Sequence, residues 1–173
     1  YMPATWPTVP TDIPQKGRSY AQIGHDVLTP FIGNSLPSGA VERALKSLVD
    51  GFDHPLVTPL VELEAGLFVL ELFHGTTLAF KDVAMQLLAR LMDYTLTERG
   101  ERATIVGATS GDTGSAAIAA VADRAHIDIF MLHPLGRVSE VQRRQMTTVL
   151  ASNVHNIAIE GDFDEAQALV KRM

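Results

Sequence analysis

Two short segments hold residues whose types and order could do chemistry. The first is Phe73-His74-Gly75-Thr76-Thr77-Leu78-Ala79-Phe80-Lys81-Asp82. Its lysine falls in the first turns of a predicted helix, Thr77 to Glu98, that follows a predicted strand, Leu67 to Phe73. At helical spacing Lys81 stacks above Met85, Leu88 and Met92. That places it on the flank of an apolar stripe made by Phe80, Val83, Ala84, Leu87, Leu88 and Leu91. Asp82, Gln86, Arg90, Asp93 and Thr97 form the opposite, polar stripe. The positive end of a helix dipole disfavours a cation, and the neutral amine is the form that makes Schiff bases. A lysine so placed either snorkels its ammonium to water or serves as a nucleophile, and the pattern alone leaves both open.

The second segment is Gly107-Ala108-Thr109-Ser110-Gly111-Asp112-Thr113-Gly114-Ser115. It follows an apolar strand and opens an Ala-rich helix. Small residues let successive backbone N–H groups converge at a helix N-terminus, which suits a carboxylate or a phosphate. The competing reading is a tight turn with Asp112 or Thr113 as N-cap. A nucleotide P-loop would need Gly-Lys-Ser/Thr at the helix start, and no lysine is there. Asp-Thr-Gly-Ser also occurs in aspartic proteases, but there it lies in an all-β setting, whereas here a helix follows. His74 could assist proton or phosphate handling, or be a hydrogen-bonded turn residue. Arg143 and Arg144 read as a solvated helix face. His25, His54, His126, His133 and His155 lack metal-ligand spacing, so no metal is expected.

The elements that must position these segments alternate. Predicted helices run Ser19 to Phe31 and Ser38 to Phe52, with Ser19 and Ser38 as N-caps. Val61 and Leu63 alternate with polar neighbours ahead of the Leu67 strand. Strands at Thr104 to Ala108, Ile127 to Leu132 and Val154 to Ile159 are interleaved with helices at Gly114 to Ala125, Ser139 to Leu150 and from Asp162 onward. Strand–helix alternation through short links predicts an α/β fold of parallel strands with helices on both faces. Ligands in such sheets bind at the carboxyl ends of strands. Residues 1–17, with Pro3, Pro7, Pro10 and Pro14, predict an extended surface segment. The change of rhythm divides the chain into residues 1–58, a Pro-rich segment with helices, and residues 59–173, the α/β core.

Composition narrows the function classes. The chain has 173 residues, 46% hydrophobic and 20% charged, with no cysteine and a net charge of −6. A wholly disordered chain would be poorer in apolar residues. No apolar run approaches the ~18–20 residues of a membrane helix, and no signal-peptide pattern precedes the Pro-rich segment. Residues 1–100 carry 7 basic and 11 acidic side chains and residues 101–173 carry 7 and 9, so no basic stripe collects for a nucleic acid. Without cysteine there is no disulfide framework, thiolate metal site or cysteine nucleophile, which fits a cytoplasmic protein. The chain opens on Tyr1, and its last helical pattern (Ala166, Leu169, Val170, Met173) meets no stop signal. Both ends suggest an internal piece of a longer chain, truncated on each side.

Together the two segments resemble the threonine synthases of bacteria and fungi. The resemblance rests on Phe-His-Gly-Thr-Thr-Leu-Ala-Phe-Lys-Asp at 73–82 followed by Ala-Thr-Ser-Gly-Asp-Thr-Gly-Ser-Ala-Ala at 108–117. Tyr1-Met2-Pro3, Trp6-Pro7 and Thr58-Pro59-Leu60 support it, and it runs along most of the chain. It implies a pyridoxal 5′-phosphate enzyme of the two-domain, tryptophan-synthase-like architecture (fold type II). Such enzymes convert O-phospho-L-homoserine and water to L-threonine and phosphate. By resemblance, Lys81 holds the cofactor as a Schiff base and then shuttles protons. Thr109, Ser110, Gly111, Thr113 and Gly114 wrap the substrate carboxylate, and Asp112 lies near the cofactor's 3′-oxygen. An ionised carboxylate there would be repelled by a phenolate, so Asp112 is expected to turn away and cap the helix. His74 and Thr77 are further candidates.

One position departs from the family's pattern. Thr76 stands where that pattern has Pro, which predicts a less rigid turn around Thr77 and Lys81. The family's glycine-rich loop for the cofactor phosphate and its group facing the pyridine nitrogen match nothing in these residues. The 173 residues alone are therefore expected to bind the cofactor weakly and not to turn over. Two alternatives stay open: another fold type II enzyme such as a serine/threonine dehydratase, or a non-catalytic α/β module that binds a small anion.

Overall fold

The computed structural model describes residues 3–11 and 17–173. Tyr1, Met2 and Pro14, which the sequence places in the extended segment, lie outside the described residues. The chain forms two compact units, one ending at His74 and one beginning at Gly75.

In the first unit, α1 (Tyr20–Ile32) starts as expected. The Ser19 hydroxyl accepts the Gln22 N–H at 3.3 Å, and the Gln22 side chain accepts the Ser19 N–H at 2.8 Å, which satisfies two otherwise orphaned donors. For α2 (Ser38–Asp50) the expectation of a Ser38 cap is overturned. Pro37 takes the N-cap position with an extended backbone and no side-chain bond. Ser38 is already helical, and its hydroxyl turns to Glu42 and His25, each at 3.1 Å. The apolar stripe behaves as read: Ala40, Val41, Ala44, Leu45 and Leu48 are all buried.

Two strands complete this unit, β1 (Leu60–Glu64) and β2 (Leu67–Leu70). They pair antiparallel, Leu60 opposite Leu70 and Val61 opposite Val69. The predicted strand over Leu67 to Phe73 is therefore shorter, and it belongs to a two-stranded hairpin, not to the edge of the parallel sheet. Chain length makes the β1–β2 pairing antiparallel. Residues 65–66, with Gly66 at φ +81°, suffice for a hairpin, while a parallel crossover needs a dozen residues or more.

The second unit has the predicted α/β architecture. Its order is α3 (Lys81–Arg99), β3 (Ala103–Ala108), α4 (Asp112–Val121), β4 (Ile127–Pro134), α5 (Glu140–Thr147), β5 (Val154–Ile159) and α6 (Phe163–Val170). The sheet is parallel in the order β3-β4-β5. Ile105 lies opposite Ile129, and Ile129 opposite Val154. On β4, Ile127, Ile129 and Met131 point to one face, as a period of two requires. There they meet Ala89 and Leu96 of α3, Ile118 and Val121 of α4 and Met146 of α5. Ile118, Ile127, Ile129 and Met146 have no exposed surface, and burying each contributes about 1.5–3 kcal/mol. Helix α6 packs on β3 and β4 with Ala166 fully buried outside that cluster.

Helix α3 differs from its predicted stripes. It begins at Lys81, four residues late, because residues 77–80 form a turn. Its buried face carries Asp82, Gln86, Ala89 and Leu96, while Phe80 and Leu88 are each 59% exposed. Two members of the presumed solvent stripe are thus inside. Both have local partners that make burial tolerable: the Thr77 turn for Asp82, and the Arg90 guanidinium for Gln86.

Candidate active site

The turn that carries Lys81 is built around a buried carboxylate. Asp82 has no exposed surface. Its Oδ2 accepts the Thr77 N–H at 2.7 Å and its Oδ1 accepts the Thr77 hydroxyl at 2.8 Å. Gly75 lies against this pair, and a Cβ there would come within 2.5 Å of the Asp82 Cβ. Leu78 closes the turn with φ +63°, and its N–H donates to the Gly75 carbonyl at 3.1 Å. Asp82 thus ties down Thr77, the residue after Thr76, within this turn. Lys81 is half-buried at the first position of α3. Its Nζ lies 4.2 Å from the centre of the Phe80 ring, and among the described residues it has no carboxylate partner.

The second segment runs from the end of β3 into α4, at the carboxyl edge of the parallel sheet. Asp112 does not cap the helix, which overturns that expectation. The N-cap is Gly111 and no side chain caps it. The hydroxyl of Thr109, a residue 1% exposed, does comparable work: it accepts the N–H groups of Gly111 at 3.0 Å and Gly114 at 2.8 Å. Asp112 is exposed and accepts a hydrogen bond from the Gln142 side chain instead. Gly111 has φ +150°, and a Cβ there would overlap the Gln142 carboxamide. Both conditions demand glycine. Ser110 and Thr113 are exposed, and the N–H groups of Ser110, Asp112 and Thr113 make no hydrogen bond to the described protein. Free donors at the start of a helix are what an anion needs.

Sequence reasoning missed the residues that tie these parts together. Gln142 and Gln145 lie one turn apart on α5. Gln142 bonds to Asp112, and Gln145 donates to the Thr77 carbonyl at 3.0 Å. A polar i, i+3 pair flanking the apolar Met146 was the available signal, but a glutamine pair on a short helix reads equally well as solvated surface. Arg143 and Arg144 are indeed on the solvated side, and both pair with Glu140.

His74 belongs to the first unit and is described there. Its Nε2 lies 2.7 Å from Glu71 Oε2, and its ring rests near His54 and Phe73. Among the described residues, no group of three or more His, Asp or Glu could hold a metal. Nor is any helix long and apolar enough to cross a membrane.

This donor set fits an aldehyde cofactor and a carboxylate substrate. An amine without a carboxylate partner stands at one helix start. Unused backbone donors stand at another.

Comparison with known proteins agrees. The sequence model of the family described as pyridoxal-phosphate dependent enzymes matches residues 52–173. The chain is 53% identical over 155 residues to the threonine synthase of Pseudomonas aeruginosa, covering 90% of this chain and 33% of that protein. It is 44% identical to that of Schizosaccharomyces pombe, covering 95% and 36%. Among solved structures, a pyridoxal-phosphate-bound threonine synthase from Brucella melitensis superposes with TM-score 0.86 at 60% identity, covering 91% of this chain and 34% of that one. The threonine synthase from yeast gives TM-score 0.89 at 36% identity, covering 96% and 36%. The chain thus spans about a third of the length of these relatives. With a lysine at the head of α3, an open-donor loop at the head of α4 and a family match over most of its length, the chain belongs to the pyridoxal-phosphate dependent enzymes.

Proposed function

We propose that the protein carrying this chain is a threonine synthase of the cytoplasm. It would take O-phospho-L-homoserine and water to L-threonine and phosphate, with no nucleic acid or membrane as partner. The observation that carries this reading is the likeness to named threonine synthases along nine-tenths of the chain, motif segments included.

Lys81 is the residue that would hold pyridoxal phosphate covalently. When bound, the cofactor supplies an electron sink for the substrate's carbon acids. The Lys81 amine would also move protons at the substrate's α and β carbons. The free N–H groups of Ser110, Asp112 and Thr113 hold the substrate carboxylate, with Thr109, Gly111 and Gly114 shaping the loop. Asp112 would lie near the cofactor's 3′-oxygen. Thr77, bonded to Asp82, orients the turn that delivers Lys81, and His74 is a further candidate for handling protons or phosphate. The γ carbon–oxygen bond would break and phosphate leave; the protons taken from the α and β carbons would go to the γ carbon and back to the α carbon, while water would give its hydroxyl to the β carbon and its other proton to the phosphate.

The test is product release by the whole protein. Phosphate and threonine from O-phospho-L-homoserine, lost on Lys81→Ala, support the reading. Ammonia from serine or threonine with no phosphate from phosphohomoserine would assign a dehydratase. No absorbance change on adding pyridoxal phosphate, in the native protein and the Lys81→Ala variant alike, would assign a non-catalytic module.

A further inference from the structure

We propose that Gln142 and Gln145 are positioning residues that hold the lysine turn and the anion loop on one strut, α5, with Gln142 setting the direction of the Asp112 carboxylate. The inference rests on the reading of Lys81 and of residues 109–114 given above.

The strut is fixed at both ends. At its start, the Ser139 hydroxyl accepts the Gln142 N–H at 3.3 Å and donates to the Gln142 Oε1 at 2.8 Å. Near its end, the Asn156 side chain of β5 donates to the Met146 carbonyl at 3.0 Å. Met146 itself is fully buried. A helix held this way presents its polar groups at set positions.

Gln145 uses this to reach across 68 residues of sequence to the Thr77 carbonyl. Thr77 already takes both oxygens of Asp82. The peptide four residues before Lys81 is thus held from two sides, by its own helix and by α5.

Gln142 meets the other segment. Its carboxamide occupies the space that a Cβ on Gly111 would fill. Because Ser139 donates to Oε1, the amide nitrogen faces Asp112, whose Oδ1 accepts from it. The amide orientation is therefore imposed from one side, and it fixes the Asp112 carboxylate from the other. The charged groups of α5 do not compete, since Arg143 and Arg144 both pair with Glu140. A glutamine suits the position because its amide accepts from the Ser139 hydroxyl and donates to the Asp112 carboxylate at once.

The test uses the whole protein and reads amide hydrogen exchange in residues 75–80 and 109–114 without cofactor, corrected for intrinsic rates. Gln145→Met keeps the side-chain length and removes the donor; exchange in 75–80 should rise tenfold or more. Gln142→Glu keeps the shape and sets two carboxyls face to face. At pH 8 exchange in 109–114 should rise about tenfold. At pH 5 it should return toward the native value, because a proton shared between the carboxyls restores the donor. A merely space-filling role would leave the pH 5 and pH 8 patterns alike. Native exchange in both variants at both pH values, or loosening by Gln142→Glu that ignores pH, overturns the proposal. Should Gln145→Met fail to fold, Gln145→Glu, which keeps the shape and lacks the donor at pH 8, takes its place in reading residues 75–80. Absorbance of the native protein with pyridoxal phosphate is recorded in parallel. Its absence sinks the enzyme reading, while the exchange data still decide the strut.

Discussion

The side chain of Asp82 takes both donors of Thr77, the N–H at 2.7 Å and the hydroxyl at 2.8 Å, with no water-exposed surface of its own. A carboxylate buried immediately after Lys81 thus fixes the peptide four residues before it. For the role proposed for Lys81, rigidity here matters because a reacting amine displaced by about 1 Å can lose about a hundredfold in rate.

Replacing Asp82 should therefore be costly. Asp82→Ala strands two buried donors, which costs about 1–3 kcal/mol for each unsatisfied group. Denaturant unfolding of the whole protein should show a lower midpoint with an unchanged slope. Gly75→Ala should destabilise too, by about 1–3 kcal/mol, because the added methyl meets the Asp82 side chain at 2.5 Å. Native stability in both variants would mean that this turn is not held as described.

Thr109→Val is a sharper probe of the anion loop. It removes the acceptor for the Gly111 and Gly114 N–H groups while leaving the volume of a residue 1% exposed. The loop should loosen, with a stability loss of about 1–3 kcal/mol. KM for the amino-acid substrate should rise more than kcat falls, and Thr109→Ser should restore both. Equal damage from Ser and Val would refute the hydroxyl's role.

Asn153 staples the α4–β4 connection. Its Nδ2 donates to the carbonyls of Val121 at 2.8 Å and Ile127 at 2.7 Å, and its Oδ1 accepts the Asp123 N–H at 3.0 Å, where Asp123 sits at φ +61°. Asn153→Ala should cost about 2–4 kcal/mol through several buried groups left unpaired. Thermal unfolding measures it, and a shift within error would show that the connection holds itself.

A last prediction concerns acid. Glu140 accepts hydrogen bonds from Arg143 and Arg144, which hold its carboxyl near pKa 2, down from an ordinary 4.5. A folded-state value below the unfolded one favours the folded state above pH 4.5, and that contribution disappears as pH falls toward 2. Glu140→Gln should thus be less stable than the native protein above pH 5 and converge with it near pH 2. Because the group is exposed, the difference should shrink in high salt. A difference independent of pH would contradict the ion-pair origin.

The legible parts of this protein were those with local causes. Helices of the second unit announce themselves by period, and β4 by its alternating Ile127, Ile129 and Met131. The Ser19 capping box is a pattern of four adjacent residues. The Thr109 to Gly114 loop could be singled out because a strand-to-helix junction is where an α/β fold exposes backbone donors, and Lys81 because of its place at a helix start. Asp82 and Gln86 were misread because hydrophobic period assigns polar residues to solvent. It cannot register a carboxylate whose two acceptors are filled by a residue five positions earlier. The Asp112 cap failed for a related reason. Capping propensity is local, while the partner that claims Asp112 lies 30 residues away on α5.

The amino-acid sequence by itself determined the element types and the parallel α/β plan, and it singled out Lys81 and residues 109–114 as candidates. These follow from short-range spacing and from the steric freedom of glycine. Tertiary structure alone decided that β1 and β2 form a separate hairpin, that Asp82 is interior, and that α5 joins the two segments through Gln142 and Gln145. Such decisions depend on which polar groups find each other once the apolar faces have closed. A buried donor or acceptor is tolerated only where a partner stands within about 3 Å, and that distance exists only in the folded chain.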